Sequence, residues 1–505
     1  MNVRQDAFNT RAACGTILDP ALNPERTQTG RFAIRYDAVI VGAGPNGLSA
    51  AITLARAGHS VLVREAAPVI GGGTRTEELT LPGYLHDVCS TVHPMAVASP
   101  FFRQLPLAQH GLEWIHTPTL LVHPFDDGTV VTLERTLDAT VQALGNDGPA
   151  YRELVEPFVE GWEDLVHDTL RPLRFPSRPL FMARFGMNAL RSVDSLVRSR
   201  FRNDSTRAMF AAVAGHCMLP LDWAGTASFG LMLCITGHAV GWPLARGGSR
   251  RITLALAGCL RELGGVIDTD AAVNDVAELP PSRAILFDVT PRQLLRISGD
   301  HLPPSYRRQL ERYRYGPGAF KIDWALSEPV PWRNRRSSES AVLHLAGRYD
   351  EVIASERAPW DGVHADRPFV LFVQPSLFDR TRAPDDGHTA WAYCHVPNGS
   401  STDMTAAVEA QVERFAPGFR DIVLHRSVMN PADLEAHNRN LIGGDINAGA
   451  QNLAQLFFRP VRRWNPYEIP DSNMYICSAS TPPGGAVHGM CGFHAANAAL
   501  ARTFR

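Results

Sequence analysis

Several features are missing from this sequence of 505 residues, and each absence excludes a class of protein. None of the eight cysteines forms a CxxC pair, and no cysteines and histidines have the spacing of zinc ligands. A dithiol redox centre and a zinc domain are therefore not expected. The formal net charge of −2 lacks the positive field that a general nucleic-acid binder needs. The sequence predicts no metal site and no nucleic-acid partner.

The N-terminus lacks the apolar stretch of a secretory signal peptide. Residues 1–35 predict a polar N-terminal extension, and a transit peptide is the alternative. Unpaired cysteines are typical of a reducing compartment, so we expect a cytoplasmic protein, either free or peripheral to a membrane. Two charge-free runs, 223–245 and 472–501, contain glycine and proline, which favours buried core segments over membrane spans.

A βαβ pattern lies close to the N-terminus. Residues 36–41 form a mostly apolar run, which is typical of a strand buried on both faces. The turn Gly42-Ala43-Gly44-Pro45-Asn46-Gly47 follows, then a helix pattern to residue 56 and a second strand pattern at 60–65. A GxGxxG sequence in this context predicts a dinucleotide-binding turn, and a glycine-rich turn without a ligand is the alternative.

Each residue of this turn is expected to have a physical role. Gly42 permits the tight turn, Gly44 lets the backbone approach a pyrophosphate, and Gly47 allows close packing of helix on strand. The helix N-terminus at Pro45 and Asn46 supplies free N–H groups and the positive end of the helix dipole to the phosphates.

The segment after the second strand favours FAD over NAD. Glu65, eighteen residues after Gly47, would accept hydrogen bonds from a ribose diol. The glycine-rich stretch 71–76 could wrap around the pyrophosphate with Arg75 as counter-charge, and a surface ion pair is the alternative for this arginine. No second strand–GxGxxG–helix pattern is present, so no NAD(P)H site is predicted. The residues predicted to bind FAD in this segment are Glu65, Ala66, Gly72, Gly73, Arg75 and Thr76.

The remaining patterns predict two units that share the chain. A hairpin is expected at 120–135, helices at 149–217, and strands at 266–273, 284–290, 319–326, 369–374, 389–396 and 474–479. We therefore expect an α/β protein, in which a Rossmann-like FAD-binding domain accompanies a discontinuous substrate domain of mixed sheet plus helices. The FAD-binding domain would comprise residues 36–105, 240–325 and 430–505, and the substrate-binding domain residues 106–239 and 326–429.

Five stretches of the sequence are distinctive: VIVGAGPNGLSAA, GGGTRTEELTLPGYLHDVCSTVHP, GWPLARGGSRRIT, YGPGAFKIDWAL and YICSASTPPGGAVHGMCGFHAANAA. Together they resemble the FAD-dependent phytoene-desaturase-like flavoproteins of the amine-oxidase superfamily. The resemblance is closest to the branch of the pyridine nucleotide-disulphide oxidoreductase domain-containing proteins, and it implies non-covalent FAD.

The resemblance implies roles for residues at matching positions. Val273 would hold the adenine through its backbone, and Ser480 with the loop 482–492 would contact the flavin. The strand–loop–helix pattern there also places the amides of Gly489 and Met490 at a helix N-terminus, where they would stabilise the negative charge of a reduced flavin.

Lys321 is the only lysine among the 49 basic residues. In amine-oxidase relatives a lysine at the matching strand position holds a water molecule against flavin N5, so the resemblance implies a catalytic role. A compact ammonium can anchor one water where a guanidinium fork would not, and a chance exposed lysine is the alternative. His488, just before the last helix, is the second predicted catalytic residue, with a structural hydrogen-bonding histidine as the alternative.

These observations predict an FAD-dependent dehydrogenase or desaturase. It would move hydride from a C–H bond of an apolar small molecule, polyene or lipid-like, to flavin N5. The alternatives are an oxidase of a C–N bond, a redox-neutral isomerase or saturase, and a non-catalytic flavoprotein that acts as an interaction partner. The electron acceptor stays open among O2, a quinone and another protein, and no oligomeric state is predicted.

Residues 171–202 contain eight arginines and one acidic residue, interleaved with apolar side chains. This composition predicts either peripheral contact with an anionic membrane, through which an apolar substrate would enter, or a solvated helix face.

Overall fold

The computed structural model describes residues 36–505, so the polar extension predicted at 1–35 lies outside the described residues. The strands in chain order are β1 (Tyr36–Val41), β2 (Val61–Arg64), β3 (Thr76–Glu77), β4 (His86–Asp87), β5 (Trp114–Ile115), β6 (Thr119–Pro124), β7 (Val130–Glu134), β8 (Leu244–Ala245), β9 (Val266–Asp268), β10 (Ser282–Phe287), β11 (Gly318–Leu326), β12 (Val342–Leu345), β13 (Val370–Val373), β14 (His388–Val396), β15 (Val423–Met429) and β16 (Met474–Ile476). The α-helices are α1 (Pro45–Arg56), α2 (Pro94–Ala98), α3 (Leu137–Ala143), α4 (Gly148–Glu160), α5 (Trp162–Thr169), α6 (Pro179–Ala189), α7 (Val193–Arg200), α8 (Asp204–Ala214), α9 (Ala227–Val240), α10 (Arg250–Glu262), α11 (Pro291–Ser298), α12 (Pro304–Glu311), α13 (Tyr349–Arg357), α14 (Thr405–Phe415), α15 (Pro431–His437), α16 (Leu453–Phe457) and α17 (Met490–Arg502).

Five parallel strands form the sheet that carries the predicted nucleotide turn, in the order β16-β10-β1-β2-β9. β1 lies in the middle, where Ala38 and Ile40 pack into one apolar core and Val39 and Val41 into another. Burial on both faces explains why β1 is an apolar run without alternation. The βαβ unit predicted from the sequence is confirmed here.

A second, mixed sheet has seven strands in the order β15-β11-β14-β13-β12-β6-β7. Its strands are antiparallel except for the parallel pairing of β12 with β6. One face packs on a separate apolar core with α14. β11 lies inside this sheet, so the predicted domain boundary at residue 325 falls within a strand; strands β12 and β15 were not predicted.

Helices α4 to α9 pack into one apolar core that also contains the inner face of α1 and of α17. The two charge-free runs contain α9 and α17, and both helices are largely buried. None of the helices in residues 36–505 is long and apolar enough to cross a membrane.

Helix α17 packs on α1 at a distance that only glycine allows. A Cβ on Gly492 would lie 1.8 Å from the carbonyl oxygen of Asn46, and a Cβ on Gly47 would lie 2.0 Å from the carbonyl oxygen of Gly42. Because backbone atoms are the obstacles, no side-chain adjustment relieves the overlap. These two glycines therefore determine how closely the last helix and the nucleotide turn approach each other.

We expect Gly492→Ala to destabilise the protein by about 3 kcal/mol or more, because the added methyl group forces α17 away from α1. Gly186→Ala on α6 is the matched control, since a Cβ there meets no atom within 4 Å. Its stability should be unchanged or about 1 kcal/mol higher. Urea-unfolding midpoints of the two variants and the parent measure the difference; equal midpoints for both would contradict the packing argument.

Candidate functional site

Four neighbouring parallel strands end at one edge of the five-stranded sheet, where predicted site residues lie beside polar residues that were not predicted. Glu65 follows β2, the turn 42–47 follows β1, Asp288 follows β10 and Ser478 follows β16. Neighbouring strands lie about 4.8 Å apart, so the edge from β2 to β16 is about 14 Å long. It is suited to an extended dinucleotide whose adenosine end lies at β2.

A cavity of about 1080 Å³ runs along this edge and continues over one face of the seven-stranded sheet. Cavities for a single small ligand measure about 300–1000 Å³, so this one has room for more than one molecule. The predicted site residues that line it are Gly42, Gly44, Pro45, Asn46, Glu65, Ala66, Gly72, Gly73, Arg75, Val273, Lys321 and His488.

Some predicted cofactor-binding residues lie behind the cavity wall instead. Thr76 donates its hydroxyl to Asp87 Oδ1 at 2.6 Å, and Ser480 donates its hydroxyl to the Ala448 carbonyl at 2.9 Å. Both hydroxyls are therefore used within the protein, and a role toward a cofactor stays a prediction. The predicted residues outside the cavity lining are Gly47, Thr76, Ser480, Gly489 and Met490.

Asp288, which the sequence analysis did not single out, lies at the centre of the edge. Its Oδ2 accepts the N–H of Gly47 at 2.8 Å, and a Cβ on Gly44 would lie 2.8 Å from the same oxygen. Burial raises the pKa of Asp288 to about 7, the Gly47 N–H opposes this shift, and the charge of Glu65 adds to it. A carboxylic acid therefore stands beside the amides predicted to bind phosphate. Its place directly after an apolar strand was the only signal in the sequence.

Glu65 and Arg75 lie together at the β2 end of the cavity. The Glu65 oxygens accept the N–H groups of Ala43 at 2.8 Å and Ala67 at 2.9 Å. Arg75 Nη2 lies 3.6 Å from Glu65 Oε1, and Arg75 Nη1 donates to the His437 carbonyl at 3.2 Å. Arg75 thus forms an ion pair, but a buried one that lines the cavity and not the surface ion pair of the alternative; its role toward a pyrophosphate stays a prediction.

His488 lies at the other end, before the N-terminus of α17. Its Nδ1 accepts the N–H of Met490 at 3.0 Å, so the neutral ring carries its proton on Nε2. Burial lowers the pKa of His488 to about 4, which keeps the ring neutral. Gly489 has φ +68°, and a Cβ there would lie 2.1 Å from Ser49 Oγ. In this geometry His488 caps α17 through Nδ1 and has an Nε2–H free to donate, and its catalytic role stays a prediction.

Lys321 projects from β11 into the cavity, as the strand alternation predicts. Its neighbours Phe320 and Ile322 point into the apolar core on the opposite face of the sheet. Lys321 forms a buried ion pair with Asp323, and its Nζ lies 4.9 Å from the centre of the Trp391 ring. Burial raises the pKa of Asp323 to about 6, with Lys321 opposing the shift.

Trp391 and Tyr393 form an aromatic wall beside Lys321. Their rings are nearly parallel, with centroids 5.8 Å apart and an angle of 13° between the planes. Tyr393 is the direct partner of Lys321 in the β11–β14 pairing. The sequence analysis missed both residues, yet β14 alternates between this face and the small apolar residues of the opposite core, which are Ala390, Ala392, Cys394 and Val396.

The part of the cavity beyond this wall is mostly apolar. Its polar lining includes His216, whose Nε2 lies 3.2 Å from Nε2 of His344, together with Ser228 and the paired Asp168 and Arg171. The apolar side chains that line this part are Met95, Met182, Phe185, Phe229, Met232, Leu233, Val342 and Leu371.

The rim of the apolar part lies at the surface and is itself apolar. Leu173 and Leu190 line the cavity and are exposed, and near them Phe175 is 82% and Leu180 88% exposed. Phe457 of α16 completes the rim. Three exposed arginines belong to the same stretch of chain: Arg174, Arg178 and Arg184.

Buried polar atoms along the cavity lack partners among residues 36–505. They include Asn46 Oδ1, Arg75 Nε and His488 Nε2. In the first turn of α1, Pro45 has no N–H and Gly47 donates its N–H to Asp288, which leaves the N–H of Asn46 without a partner in the helix. Since buried polar groups are nearly always hydrogen-bonded, these unpartnered atoms are complementary to a long polar ligand. The residues present therefore fit a dinucleotide cofactor from the β2 end to the N-terminus of α17.

Comparison with known sequences supports the interpretation of this cavity as the site of an oxidoreductase. Residues 40–105 match the family described as NAD(P)-binding Rossmann-like domain. The chain is 25% identical to mouse pyridine nucleotide-disulfide oxidoreductase domain-containing protein 2, over 93% of this chain and 94% of the relative. It is 24% identical to the neurosporene-forming phytoene desaturase of Rhodobacter capsulatus, over 90% and 92% of the two chains.

Solved structures agree on the fold. An oxidoreductase from Methanosarcina mazei superposes with a TM-score of 0.63 at 15% identity, covering 93% of this chain and 100% of the other. Putrescine oxidase superposes with a TM-score of 0.59 at 16% identity, covering 93% and 100%. The predicted fold class is confirmed, and over almost its whole length the chain is similar to the phytoene-desaturase-like oxidoreductases, as its sequence motifs indicated.

Proposed function

We propose that this protein is an FAD-dependent dehydrogenase that removes two hydrogens from an apolar small molecule. FAD, when bound, supplies the two-electron oxidising chemistry. The single observation that carries the proposal is the continuous cavity, which joins the dinucleotide edge to an apolar chamber with Lys321 at the junction.

The residues along the edge would hold the cofactor in a fixed direction. Glu65 lies where it can accept the ribose hydroxyls, and Val273 lies nearby for the adenine. The amides of the turn 42–47 and the dipole of α1 favour the pyrophosphate. The N-terminus of α17, with the free Nε2–H of His488, would donate hydrogen bonds to the flavin end.

Lys321 would work at the junction of the two parts of the cavity. Its ammonium is buried, paired with Asp323 and held over Trp391, so it has one direction left in which to donate a hydrogen bond. We infer that it anchors a water or a substrate atom there. The apolar wall excludes bulk water and orients a substrate without polar anchors, which is the catalytic contribution available to this chamber.

The C–N oxidation alternative has one supporting observation, the structural similarity to putrescine oxidase. Besides Lys321, Tyr393 and His216, the lining includes Asp168, which is already paired with Arg171, and its other side chains here are mostly apolar. C–H oxidation of an apolar compound fits these walls better than binding of a small cation. Peroxide formation with simple amines as substrates would favour the alternative.

The apolar rim with its arginines would let a poorly soluble substrate enter from a membrane. Phe175 and Leu180 would enter the lipid interface while Arg174 and Arg178 contact anionic head groups. Peripheral contact of this kind needs no membrane-spanning segment.

The purified protein should carry one FAD, released by acid precipitation because it is non-covalent. Lys321→Met should keep the flavin, while reoxidation of the photoreduced protein by dissolved oxygen falls about a hundredfold because the anchored proton donor is lost. Lys321→Arg is the control for charge without a compact ammonium. Stopped-flow flavin absorbance measures the rate; a protein without flavin would refute the proposed function.

Asp288 should make FAD binding depend on pH. Its carboxyl is neutral below its raised pKa of about 7 and charged above it, where it repels the bound pyrophosphate. We expect the dissociation constant to rise by up to about tenfold per pH unit above 7. Asp288→Asn stays neutral and still accepts the Gly47 N–H, so its affinity should be flat from pH 6 to 8.5. Quenching of flavin fluorescence gives the dissociation constants of FAD. If they change with pH in the same way in the parent and in Asp288→Asn, Asp288 is not the group responsible.

The rim should bind vesicles that contain phosphatidylglycerol, more strongly at low salt than at high salt because arginines contribute. Replacing Phe175 and Leu180 together by serine should abolish flotation with these vesicles. Val363→Ser is the control, since Val363 is exposed and apolar but is not part of the cavity lining. If the parent protein does not bind these vesicles, or binds them equally at low and high salt, the proposed membrane contact is wrong.

A further inference from the structure

A row of buried side chains leads from Lys321 away from the cavity. Lys321 pairs with Asp323, whose Oδ1 faces Nδ1 of His86 at 3.5 Å. His86 Nε2 lies 2.8 Å from the hydroxyl of Thr80. Lys321, Asp323 and His86 are almost completely buried, whereas Thr80 is partly exposed to solvent. The row therefore joins the cavity to the surface.

The contact between Asp323 and His86 is the one open link in this row. Neither Asp323 Oδ1 nor His86 Nδ1 has another hydrogen-bond partner among residues 36–505. Their separation exceeds a hydrogen bond by about 0.5 Å, which a small side-chain rotation closes. Two unpartnered buried atoms that face each other indicate a contact that is made when a proton is available.

We propose that Asp323, His86 and Thr80 form a proton path between Lys321 and solvent. This inference rests on the proposed function, because FAD-dependent oxidation releases protons in the cavity. Of the two hydrogens that leave the substrate, one leaves with the electron pair as hydride and the other as a proton. A bound flavin would supply the oxidising chemistry. Lys321 would give a proton to Asp323 and take up the proton from the substrate, so that the path carries one proton from the cavity to solvent.

The two neutral tautomers of His86 explain how a proton could pass. When Asp323 is ionised, His86 carries its proton on Nδ1 toward Asp323, and Nε2 accepts the Thr80 hydroxyl. When Asp323 is protonated, it donates to Nδ1, and Nε2–H donates to Thr80. The change between these arrangements moves one proton from Asp323 to Thr80, and Thr80 passes one to water. Burial lowers the pKa of His86 to about 3, and a concerted exchange avoids the charged ring.

Other charged groups beside the row are already paired. Arg382 Nη2 donates to Asp87 Oδ2 at 2.5 Å, and Asp87 Oδ1 also accepts the Thr76 hydroxyl. Cys89 lies near Lys321, and burial raises the pKa of its thiol to about 11, so it stays protonated. His437 and Tyr393 are two further titratable groups beside Lys321: His437 contacts Arg75 and Glu77, and burial raises the pKa of Tyr393 so that its hydroxyl stays protonated. Because these neighbouring groups are engaged in other contacts, the row through His86 is the route by which a proton would pass from Lys321 to the surface.

The first test uses the protein without its cofactor. Removing the ammonium in Lys321→Met takes away the charge that lowers the pKa of Asp323, so Asp323 should be protonated at pH 7.5. His86 should then change from the Nδ1–H to the Nε2–H tautomer. ¹⁵N NMR of histidine-labelled protein distinguishes the two tautomers, and the His86→Gln variant assigns the His86 signals. If His86 has the same tautomer in the parent and in Lys321→Met, the proposed coupling between Asp323 and His86 is wrong.

The second test follows the photoreduced flavoprotein in aerated buffer. There the reduced flavin anion, dioxygen and one proton give oxidised flavin and hydrogen peroxide. Thr80→Val, nearly equal in shape but without a hydroxyl, should slow this reaction about tenfold and increase its solvent deuterium isotope effect. Thr80→Ser should restore both, which a packing role would not explain.

The outcomes separate the two proposals. A protein that binds no flavin contradicts the proposed function and the proton path with it. A flavoprotein whose Thr80→Val variant keeps the parent rate and isotope effect contradicts the proton path alone. Equal slowing in Thr80→Val and Thr80→Ser, with the parent isotope effect, would show a structural role and would also overturn it.

Discussion

The backbone contact between α1 and its neighbours is the constraint on which the site depends. Gly47 lets the helix begin directly against the Gly42 carbonyl, and Gly492 lets α17 lie against the Asn46 carbonyl. Because both approaches are shorter than any other residue allows, the N-termini of α1 and α17 are held at the same cavity. The nucleotide turn and the last helix therefore act as one unit, although they lie at opposite ends of the described chain.

This arrangement matters because several charged groups of the cavity are already paired or only partly ionised. Arg75 is paired with Glu65 and Lys321 with Asp323, and burial raises the pKa of Asp288 to about 7. Besides Arg64 and Arg439, which line the cavity without an ion pair among residues 36–505, helix dipoles and free N–H groups can stabilise an anionic ligand. Pairing also keeps the ammonium of Lys321 in a fixed direction, which an unpaired flexible side chain would not provide.

The predicted site residues that line the cavity belong mostly to patterns that are local in sequence. Four residues of the turn 42–47 and Glu65 follow from the βαβ pattern, and Lys321 follows from its strand period and from the family resemblance. Asp288, Trp391 and Tyr393 were missed because their importance arises from strand pairing across long separations, as in the β11–β14 register. Thr76 belongs to the segment predicted to bind the cofactor, but the pairing of β3 with β4 directs its hydroxyl to Asp87. The strand pattern of β11 was recognised, yet a strand period does not reveal which sheet the strand joins.

The placement of β11 also determines whether Lys321 can reach the nucleotide edge at all. The two sheets are separate, so their relative position must be set by contacts outside both ladders. A Cβ on Gly318 would lie 2.6 Å from the Gly443 carbonyl, and a Cβ on Gly444 would lie 2.8 Å from Pro431. The segment from Pro431 to Gly444 thus packs against the start of β11, while its residues 436–441 line the cavity. This tightly packed segment, together with the hydrogen bond from Trp391 to Thr91 and the Arg382–Asp87 ion pair, holds the apolar part of the cavity against the nucleotide edge and gives Lys321 a defined position between them.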